Sequence, residues 1–188
     1  MDEGERVRRE QWLRGAVLSG DEAAWRAWYV EHCAALEVYV HWRCAGVRDL
    51  AEDVLQETWM TAVRAVRRFC PESGSFRQWL CGVAANIVRN QLRARSRRAR
   101  RQRTITSVAS MPNESTNLDE LEARAEAVAQ ALAALPGRYE QVLRAKYLEQ
   151  RSVEDIAAAW GETPKAIESL LTRARQAFRE SYAAEEAL

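Results

Sequence analysis

The sequence predicts an all-α protein made of two small helical domains joined by a flexible linker. Only eight glycines and four prolines interrupt its 188 residues, and no stretch shows the β-branched alternation of a half-buried strand. Residues 104–118 lose the helical spacing and gain Ser, Thr, Asn and Pro, which is typical of a linker. We therefore expect one domain over residues 10–103 and a second over residues 119–183, each of a size that can hold its own core.

Four helices are predicted in the first domain. The first begins near Glu10, and the second follows Asp21, which is placed to cap it. The third opens at Asp49 and runs to Phe69. After a loop that contains Pro and Gly, Ser75 caps a fourth helix, which continues into a run of arginines.

The formal net charge of +1 averages two unlike parts of the chain. Residues 89–103 contain eight arginines and no acid, whereas the segment from Asp119 onward leans acidic. This asymmetry indicates a polyanionic partner for one part of the chain. No run of about 18 apolar residues is present, and the N-terminal residues lack the basic-then-apolar pattern of a signal peptide. We therefore expect a cytoplasmic protein without membrane insertion.

The four cysteines raise the alternative of a metal site. Cys33 and Cys44 fall on one helical stripe, which favours small buried core residues. A zinc site would have to use His32, Cys33, His41 and Cys44, and that spacing matches no common zinc pattern. We expect no metal, no cofactor and no enzymatic site, because the sequence contains neither a Gly-rich phosphate loop nor a nucleophile–base pair.

The helix predicted from Asp49 carries more carboxylates than a solvated helix needs. Leu50, Val54, Leu55 and Thr58 form its inward stripe. The polar residues that crowd the outer face include Glu52, Asp53, Gln56 and Glu57. We expect these carboxylates to have no basic partner three or four residues earlier in the helix. Carboxylates near a helix start are usually explained by the macrodipole, and the alternative is a surface that binds a basic partner.

A helix-turn-helix is predicted near the C-terminal end of the chain. Ser152 and Asp155 form a variant of the capping box and open a short helix that Gly161 closes. Thr163 and Pro164 open a longer helix. Two helices joined by a tight Gly-containing turn are typical of DNA-binding proteins. A packed helix pair without a nucleic-acid partner is the alternative.

The longer of these two helices separates an apolar face from a polar one. Residues predicted to face inward are Ile167, Leu171, Ala174 and Phe178. Residues predicted on the open face, where base edges and phosphates would be contacted, are Lys165, Glu168, Ser169, Thr172, Arg173 and Arg175.

Three motifs follow one another along the chain: DLAEDVLQETWMTAVRAVRRF, GSFRQWLCGVAANIVRNQLRARSRR and ALAALPGRYEQVLRAKYLEQRSVEDIAAAWGETPKAIESLLTRARQAF. In this order and spacing they resemble the extracytoplasmic-function group of bacterial RNA polymerase sigma factors. The resemblance implies a region 2 domain over residues 10–103 and a region 4 helix-turn-helix over residues 119–183. The partners it implies are core RNA polymerase (the β′ clamp helices and the β flap), promoter DNA and an anti-sigma factor.

The resemblance also implies roles for individual residues. Those matching the family's surface for the β′ clamp helices are Glu52, Asp53, Gln56 and Glu57. In the helix that reads the minus-ten element as single strand, Asn86 matches the position that lines a pocket for a flipped base. Arg89, Asn90 and Arg93 follow on the same side and would hold phosphates, and the arginines beyond them would grip the DNA backbone.

The resemblance implies that the helix-turn-helix recognises the minus-thirty-five element. The chain departs from the family in the residues of its recognition helix. The family commonly carries a basic residue, Ser and Arg where this chain has Glu168, Ser169 and Leu170. An acid there can accept from the amino group of cytosine, and Leu170 can pack on a thymine methyl or on a neighbouring helix.

The alternative function is a stand-alone helix-turn-helix transcription regulator with a helical partner-binding domain.

Overall fold

The computed structural model describes residues 2–106 and 117–186, and within them it contains helices and turns but no strand. The helices are α1 (Glu3–Leu18), α2 (Glu22–Arg43), α3 (Arg48–Ala65), α4 (Phe76–Thr106), α5 (Asn117–Ala134), α6 (Gly137–Leu143), α7 (Val153–Trp160) and α8 (Pro164–Glu186). Short 3₁₀ turns cover Val66–Arg68 and Pro71–Ser73, and a π-helical turn covers Arg144–Leu148. The all-α prediction is confirmed.

The chain divides into two compact units. The first comprises Met1–His41 with Arg48–Gln91, and the second comprises Trp42–Val47 with Leu92–Leu188. At the edges of the linker predicted over residues 104–118, α4 continues to Thr106 and α5 begins at Asn117. The arginine run is a good helix former and carries α4 onward. The rest of the predicted linker lies outside the described residues.

The helix starts follow from local capping. The first helix begins at Glu3 and not near Glu10, and the N–H of Asp2 donates to the Glu5 carboxylate at 3.3 Å. Acidic residues in that first turn also favour the helix dipole. Asp21 caps α2 as predicted, since its Oδ1 accepts from the N–H of Ala23 at 2.8 Å.

An aromatic cluster forms the core of the first unit. Trp28 of α2 is fully buried and stacks on Phe76, with 4.0 Å between the ring centroids and 4° between the planes. Phe69 meets both rings edge-on, at 5.9 Å from Trp28 and 5.3 Å from Phe76. Trp79 lies half-buried beside Phe69 and Phe76. This cluster fixes the first turn of α4 against α2 and the connection that precedes α4.

Polar side chains of α1 fasten the same connection. Arg6 donates from both Nη atoms to the backbone oxygen of Pro71 at 3.3 Å. The Glu10 side chain is buried, and its Oε1 accepts from the backbone N–H of Phe76 at 2.9 Å. The other oxygen of Glu10 pairs with Arg6 at 2.5 Å. Glu10 therefore satisfies a donor at the N-terminus of α4 from a different helix.

The core of the second unit is built from α5 to α8 and the π-helical turn. Its buried residues are Leu132, Leu135, Val142, Leu143, Ala145, Ile156, Ala157, Ile167, Leu170, Leu171 and Ala174. The predicted inward face of α8 is confirmed at Ile167, Leu171 and Ala174, with Phe178 packed at its margin. Leu170 is also buried, so it packs on neighbouring helices and is withdrawn from any contact with a thymine methyl.

The helix-turn-helix has the predicted caps. Ser152 Oγ accepts from the Asp155 N–H at 3.0 Å and opens α7. Gly161 ends α7 in the left-handed region with φ of 64°, and the next N–H, of Glu162, reaches back to the Ala157 oxygen at 2.9 Å. Thr163 Oγ1 then accepts from the N–H of the third residue of α8 at 3.2 Å.

Candidate functional site

The acidic face of α3 is exposed along its whole length. All four predicted residues, Glu52, Asp53, Gln56 and Glu57, have exposed side chains. The expectation that no basic neighbour lies on the preceding turn is wrong, because Arg48 Nε donates to Glu52 Oε1 at 2.9 Å. The helix begins at Arg48 and not at Asp49, so the arginine falls one turn before Glu52.

The remaining three residues of the acidic face differ in their partners. Glu57 Oε2 accepts from Gln91 Nε2 of α4 at 2.9 Å. Asp53 and Gln56 make no hydrogen bond or ion pair with any residue that the structure describes. An exposed carboxylate and an exposed amide with unused hydrogen-bonding capacity can both bind a partner without first giving up an internal contact.

Exposed apolar side chains continue this face toward the C-terminal end of α3. Met60 is 46% exposed and Val63 is 55% exposed. Tyr29 of α2 is 52% exposed and contacts Trp59, with 4.9 Å between the ring centroids. The sequence analysis missed these residues, although the spacing of four and then three from Gln56 places Met60 and Val63 on its face.

The predicted minus-ten residues lie on α4. Asn86, Asn90 and Arg93 are exposed, and their spacing of four and then three places them on one face of the helix. Arg89 is partly buried, and its Nη1 donates to Asn86 Oδ1 at 3.1 Å. The Asn86 Nδ2 group makes no hydrogen bond with the described residues, so it remains available as a donor.

The arginine run is part of α4, as the sequence predicted. Arg93, Arg97, Arg98 and Arg101 are exposed. Arg93, Arg97 and Arg101 recur every four residues, so they form a stripe of positive charge along the helix. Such a stripe suits the phosphates of a nucleic-acid backbone.

The predicted open face of α8 is exposed except at its flank. Exposed members are Lys165, Glu168, Ser169, Thr172 and Arg173. Two of them also make contacts within the helix, because Thr172 Oγ1 donates to the Glu168 oxygen at 2.9 Å and Arg173 Nε to the Ser169 oxygen at 3.4 Å. The Glu168 carboxylate makes no hydrogen bond or ion pair with the described residues.

Arg175 lies on the flank of α8 and is partly buried. Its Nε donates to the hydroxyl oxygen of Tyr147 at 2.8 Å, and its guanidinium carbon is 5.7 Å from the centroid of the Tyr147 ring. The sequence analysis missed Tyr147. The two residues are 28 positions apart, and no local spacing signals their contact.

Two of the four residues considered for zinc, His32 and Cys44, are buried in packing. The His32 ring lies 5.4 Å from the ring of Phe76, and its burial lowers the pKa of the imidazole. Burial raises the pKa of the Cys44 thiol to about 11, which opposes the thiolate that a metal needs. Among the described residues, no group of three or more His, Cys, Asp or Glu side chains is placed to hold a metal ion. No described helix is both long and apolar enough to cross a membrane.

The chain matches two models of the sigma-70 family, region 2 over residues 30–98 and region 4 over residues 125–178. It is 32% identical over 165 residues to the ECF RNA polymerase sigma factor SigL of Mycobacterium tuberculosis, covering 87% of this chain and 91% of SigL. It is 29% identical to SigE of Mycolicibacterium smegmatis, covering 86% of this chain and 64% of that relative. Among solved structures, CnrH in complex with the cytosolic domain of CnrY shares 23% identity at a TM-score of 0.47, covering 92% of this chain and 96% of CnrH.

The two matched segments contain the surfaces described above. The region 2 match includes the acidic face of α3 and the polar face of α4 as far as residue 98, and the region 4 match includes α7 and most of α8. With SigL similar over nearly the full length of both chains, the protein is a member of the ECF group of RNA polymerase sigma factors.

Proposed function

We propose that this sigma factor binds core RNA polymerase through α3 and directs it to promoters with α4 and α8. In this proposal α4 reads the minus-ten element as single strand, and α8 reads the minus-thirty-five element in the major groove. The protein acts as an initiation factor and supplies no catalytic group of its own. The observation that carries the proposal is the exposed face of α3, where polar groups without internal partners adjoin apolar side chains.

The face of α3 has the composition of a protein-binding surface. Asp53 and Gln56 offer charge and hydrogen bonds to a basic helix, and the adjoining Met60 and Val63 offer apolar area. Protein interfaces commonly have an apolar core and a polar rim, while surface carboxylates steer the encounter with a basic partner. A pair of basic clamp helices of the polymerase fits both features.

The polar face of α4 is suited to a single strand. An asparagine amide can donate to and accept from the edge of an extruded base. Asn86 keeps its Nδ2 group available and is beside Arg89, which already orients its Oδ1. Arg93 and the arginines that follow it would bind successive phosphates of the DNA.

The face of α8 is suited to a duplex. The helix follows a capped helix-turn-helix, the arrangement that inserts a recognition helix into the major groove. Glu168 would accept from a cytosine amino group, while Lys165 and Arg173 would contact phosphates. The β flap and an anti-sigma factor are further partners that the family resemblance predicts.

Core binding can be tested with Asp53→Arg in the full chain. We expect the affinity for core polymerase to fall by more than about tenfold, because a cation replaces an unpaired carboxylate in front of a basic partner. The fold should survive, since the Asp53 side chain is exposed and makes no hydrogen bond or ion pair within the part of the chain that the structure describes. Affinity for core polymerase and in vitro transcription from a promoter library would be measured together.

The matched control is Glu154→Arg, which makes the same charge change at an exposed position of α7. This variant should keep the wild-type affinity for core polymerase. A folded Asp53→Arg protein with unchanged affinity would contradict the assignment of the docking face. A wild-type protein that binds duplex DNA but not core polymerase would instead identify a stand-alone transcription regulator.

A further inference from the structure

The pair formed by Tyr147 and Arg175 is not explained by the core of the second unit. Tyr147 belongs to the π-helical turn, and its side chain is 52% exposed. The turn ends at Leu148, and two residues later Gln150, a non-glycine residue, has a φ of 55°. The backbone is closed by the Arg151 N–H, which donates to the Ala145 oxygen at 3.0 Å. This local geometry sets the position from which the phenol reaches α8.

The pair holds the guanidinium by two contacts that use little of its hydrogen-bonding capacity. The hydroxyl of Tyr147 engages Nε of Arg175 alone, and the ring lies beside the guanidinium. Both Nη groups make no hydrogen bond or ion pair with the residues that the structure describes. An arginine has five N–H donors in a planar fork, so four of them stay available in a fixed orientation.

The phenol also leaves the positive charge of Arg175 intact. Two other arginines of this unit are held by carboxylates, since Arg144 pairs with Glu149 at 3.2 Å and Arg138 pairs with Glu162. A carboxylate orients an arginine but cancels its charge. A phenol orients the arginine without cancelling its charge, which suits an anion that arrives from outside.

The position of Arg175 indicates which anion that is. Arg175 lies one turn after Thr172 and two turns after Glu168, so it continues their side of α8 toward the C-terminal end, where it is partly buried. The N-terminal residues of a recognition helix contact base edges, so a cation further along the helix would meet the phosphate backbone. A fork of two amino groups matches the oxygens of a phosphate diester.

We propose that Tyr147 is a positioning residue that holds Arg175 ready to bind a backbone phosphate of the minus-thirty-five duplex. The inference rests on the proposed function, because it requires α8 to bind DNA. Pre-orienting the guanidinium reduces the ordering that binding would otherwise demand. Tyr147 itself makes no contact with the DNA in this arrangement, and its effect on affinity passes entirely through Arg175.

The test uses holoenzyme reconstituted from core polymerase and the full chain, with a duplex that the wild type selects from a randomised minus-thirty-five library. We expect Tyr147→Leu to weaken binding by about three- to tenfold, because Arg175 loses its support. Tyr147→Phe keeps the ring but lacks the acceptor oxygen, so its loss should be smaller. Arg175→Ala should lower the slope of log affinity against log salt by about 0.9.

The deciding measurement places Tyr147→Leu in two arginine backgrounds. Its penalty should vanish in Arg175→Ala and persist in Arg173→Ala, which removes a cation of α8 that Tyr147 does not contact. Helical content, measured by circular dichroism, should match the wild type in every variant. A merely structural role of Tyr147 would lower affinity in both backgrounds.

An equal loss in the two backgrounds would overturn the inference, because Tyr147 would then act on the DNA or on the fold by itself. Unchanged affinity of the Tyr147→Leu holoenzyme would overturn it as well. Failure of the proposed function would look different, since the wild-type holoenzyme would then select no duplex from the library and the inference would fail with it.

Discussion

If α8 reads the minus-thirty-five element as proposed, single residues on its exposed face would determine which promoters this protein distinguishes. Glu168 is exposed at a position where a cation would favour DNA binding in general, and its carboxylate has no hydrogen bond or ion pair among the residues that the structure describes. A carboxylate in the major groove repels phosphates but accepts well from the amino group of cytosine. In the proposed function, Glu168 would therefore lower the general affinity for DNA and raise the discrimination at one base pair.

We expect Glu168→Lys to raise the affinity for non-specific DNA and to reduce selectivity at one base pair by about 1–3 kcal/mol, the scale of one good base contact. The measurement is binding of both proteins to a randomised minus-thirty-five library at one salt concentration. Glu180→Lys makes the same charge change further along α8 and should raise affinity without altering base preference. Identical base preferences of wild type and Glu168→Lys would show that Glu168 reads no base.

Among the elements, α1 has a role that the matched family segment does not include, since that segment begins at residue 30. Its buried Glu10 accepts from the first N–H of α4, and Arg6 binds the Pro71 oxygen in the connection before α4. The helix thereby fixes where α4 begins. Loss of α1 contacts should loosen the start of the helix that carries Asn86.

Glu10→Ala should lower the free energy of unfolding by about 2–4 kcal/mol, because it orphans a buried N–H and removes the carboxylate that faces Arg6. Glu3→Ala removes the other carboxylate bound to Arg6, but Glu3 is fully exposed, so the stability should stay close to that of the wild type. Denaturant unfolding of the two variants compares them directly. Equal effects would show that Glu10 contributes only a surface ion pair.

Over the whole molecule, the net charge of +1 conceals an acidic face on α3 and a basic stripe on α4. In the proposed function the two surfaces bind partners of opposite charge, so the salt dependence of each can be separated by substitution. Removing cations from α4 should weaken the response of DNA binding to salt and leave polymerase binding unchanged, because counterion release occurs only on the nucleic acid.

We expect the double variant Arg97→Gln/Arg101→Gln to reduce the slope of log DNA affinity against log salt by about 1.4–1.8, which is two phosphate contacts at the values for single and double strands. The control, Arg8→Gln/Arg26→Gln, removes the same charge from exposed positions of α1 and α2. A titration of holoenzyme with promoter DNA at several salt concentrations measures both. Equal slopes for the two variants would remove the stripe from the DNA-binding surface.

Local chemistry made much of this fold predictable. The caps at Asp21 and Ser152, the turn at Gly161 and the inward face of α8 depend on residues within a few positions of one another, and the sequence displays them directly. Contacts between distant segments were not predictable in the same way. The bond from Arg175 to Tyr147 depends on a π-helical turn, which a spacing of 3.6 residues does not reveal.

In the candidate surfaces, too, some features were predictable from local spacing and others were not. Helical spacing alone predicted that the residues of the acidic face would be exposed, because it needs only the inward stripe of α3. The ion pair between Glu52 and Arg48 was missed because the predicted start of α3 was one residue too late, which left Arg48 outside the helix. Family resemblance supplied the roles of these residues, which their spacing does not contain.

The hydrogen bond from Gln91 to Glu57 ties the helix assigned to polymerase binding to the helix assigned to the minus-ten strand. A basic group of the polymerase that formed an ion pair with Glu57 would release the amide of Gln91, the residue that follows Asn90 on α4. The released amide would then be available to donate a hydrogen bond to the DNA strand. This coupling is reciprocal: if polymerase binding raises the affinity for the DNA strand by some factor, strand binding raises the affinity for polymerase by the same factor. Through the hydrogen bond between Gln91 and Glu57, the protein would have its highest affinity for polymerase when a promoter is open.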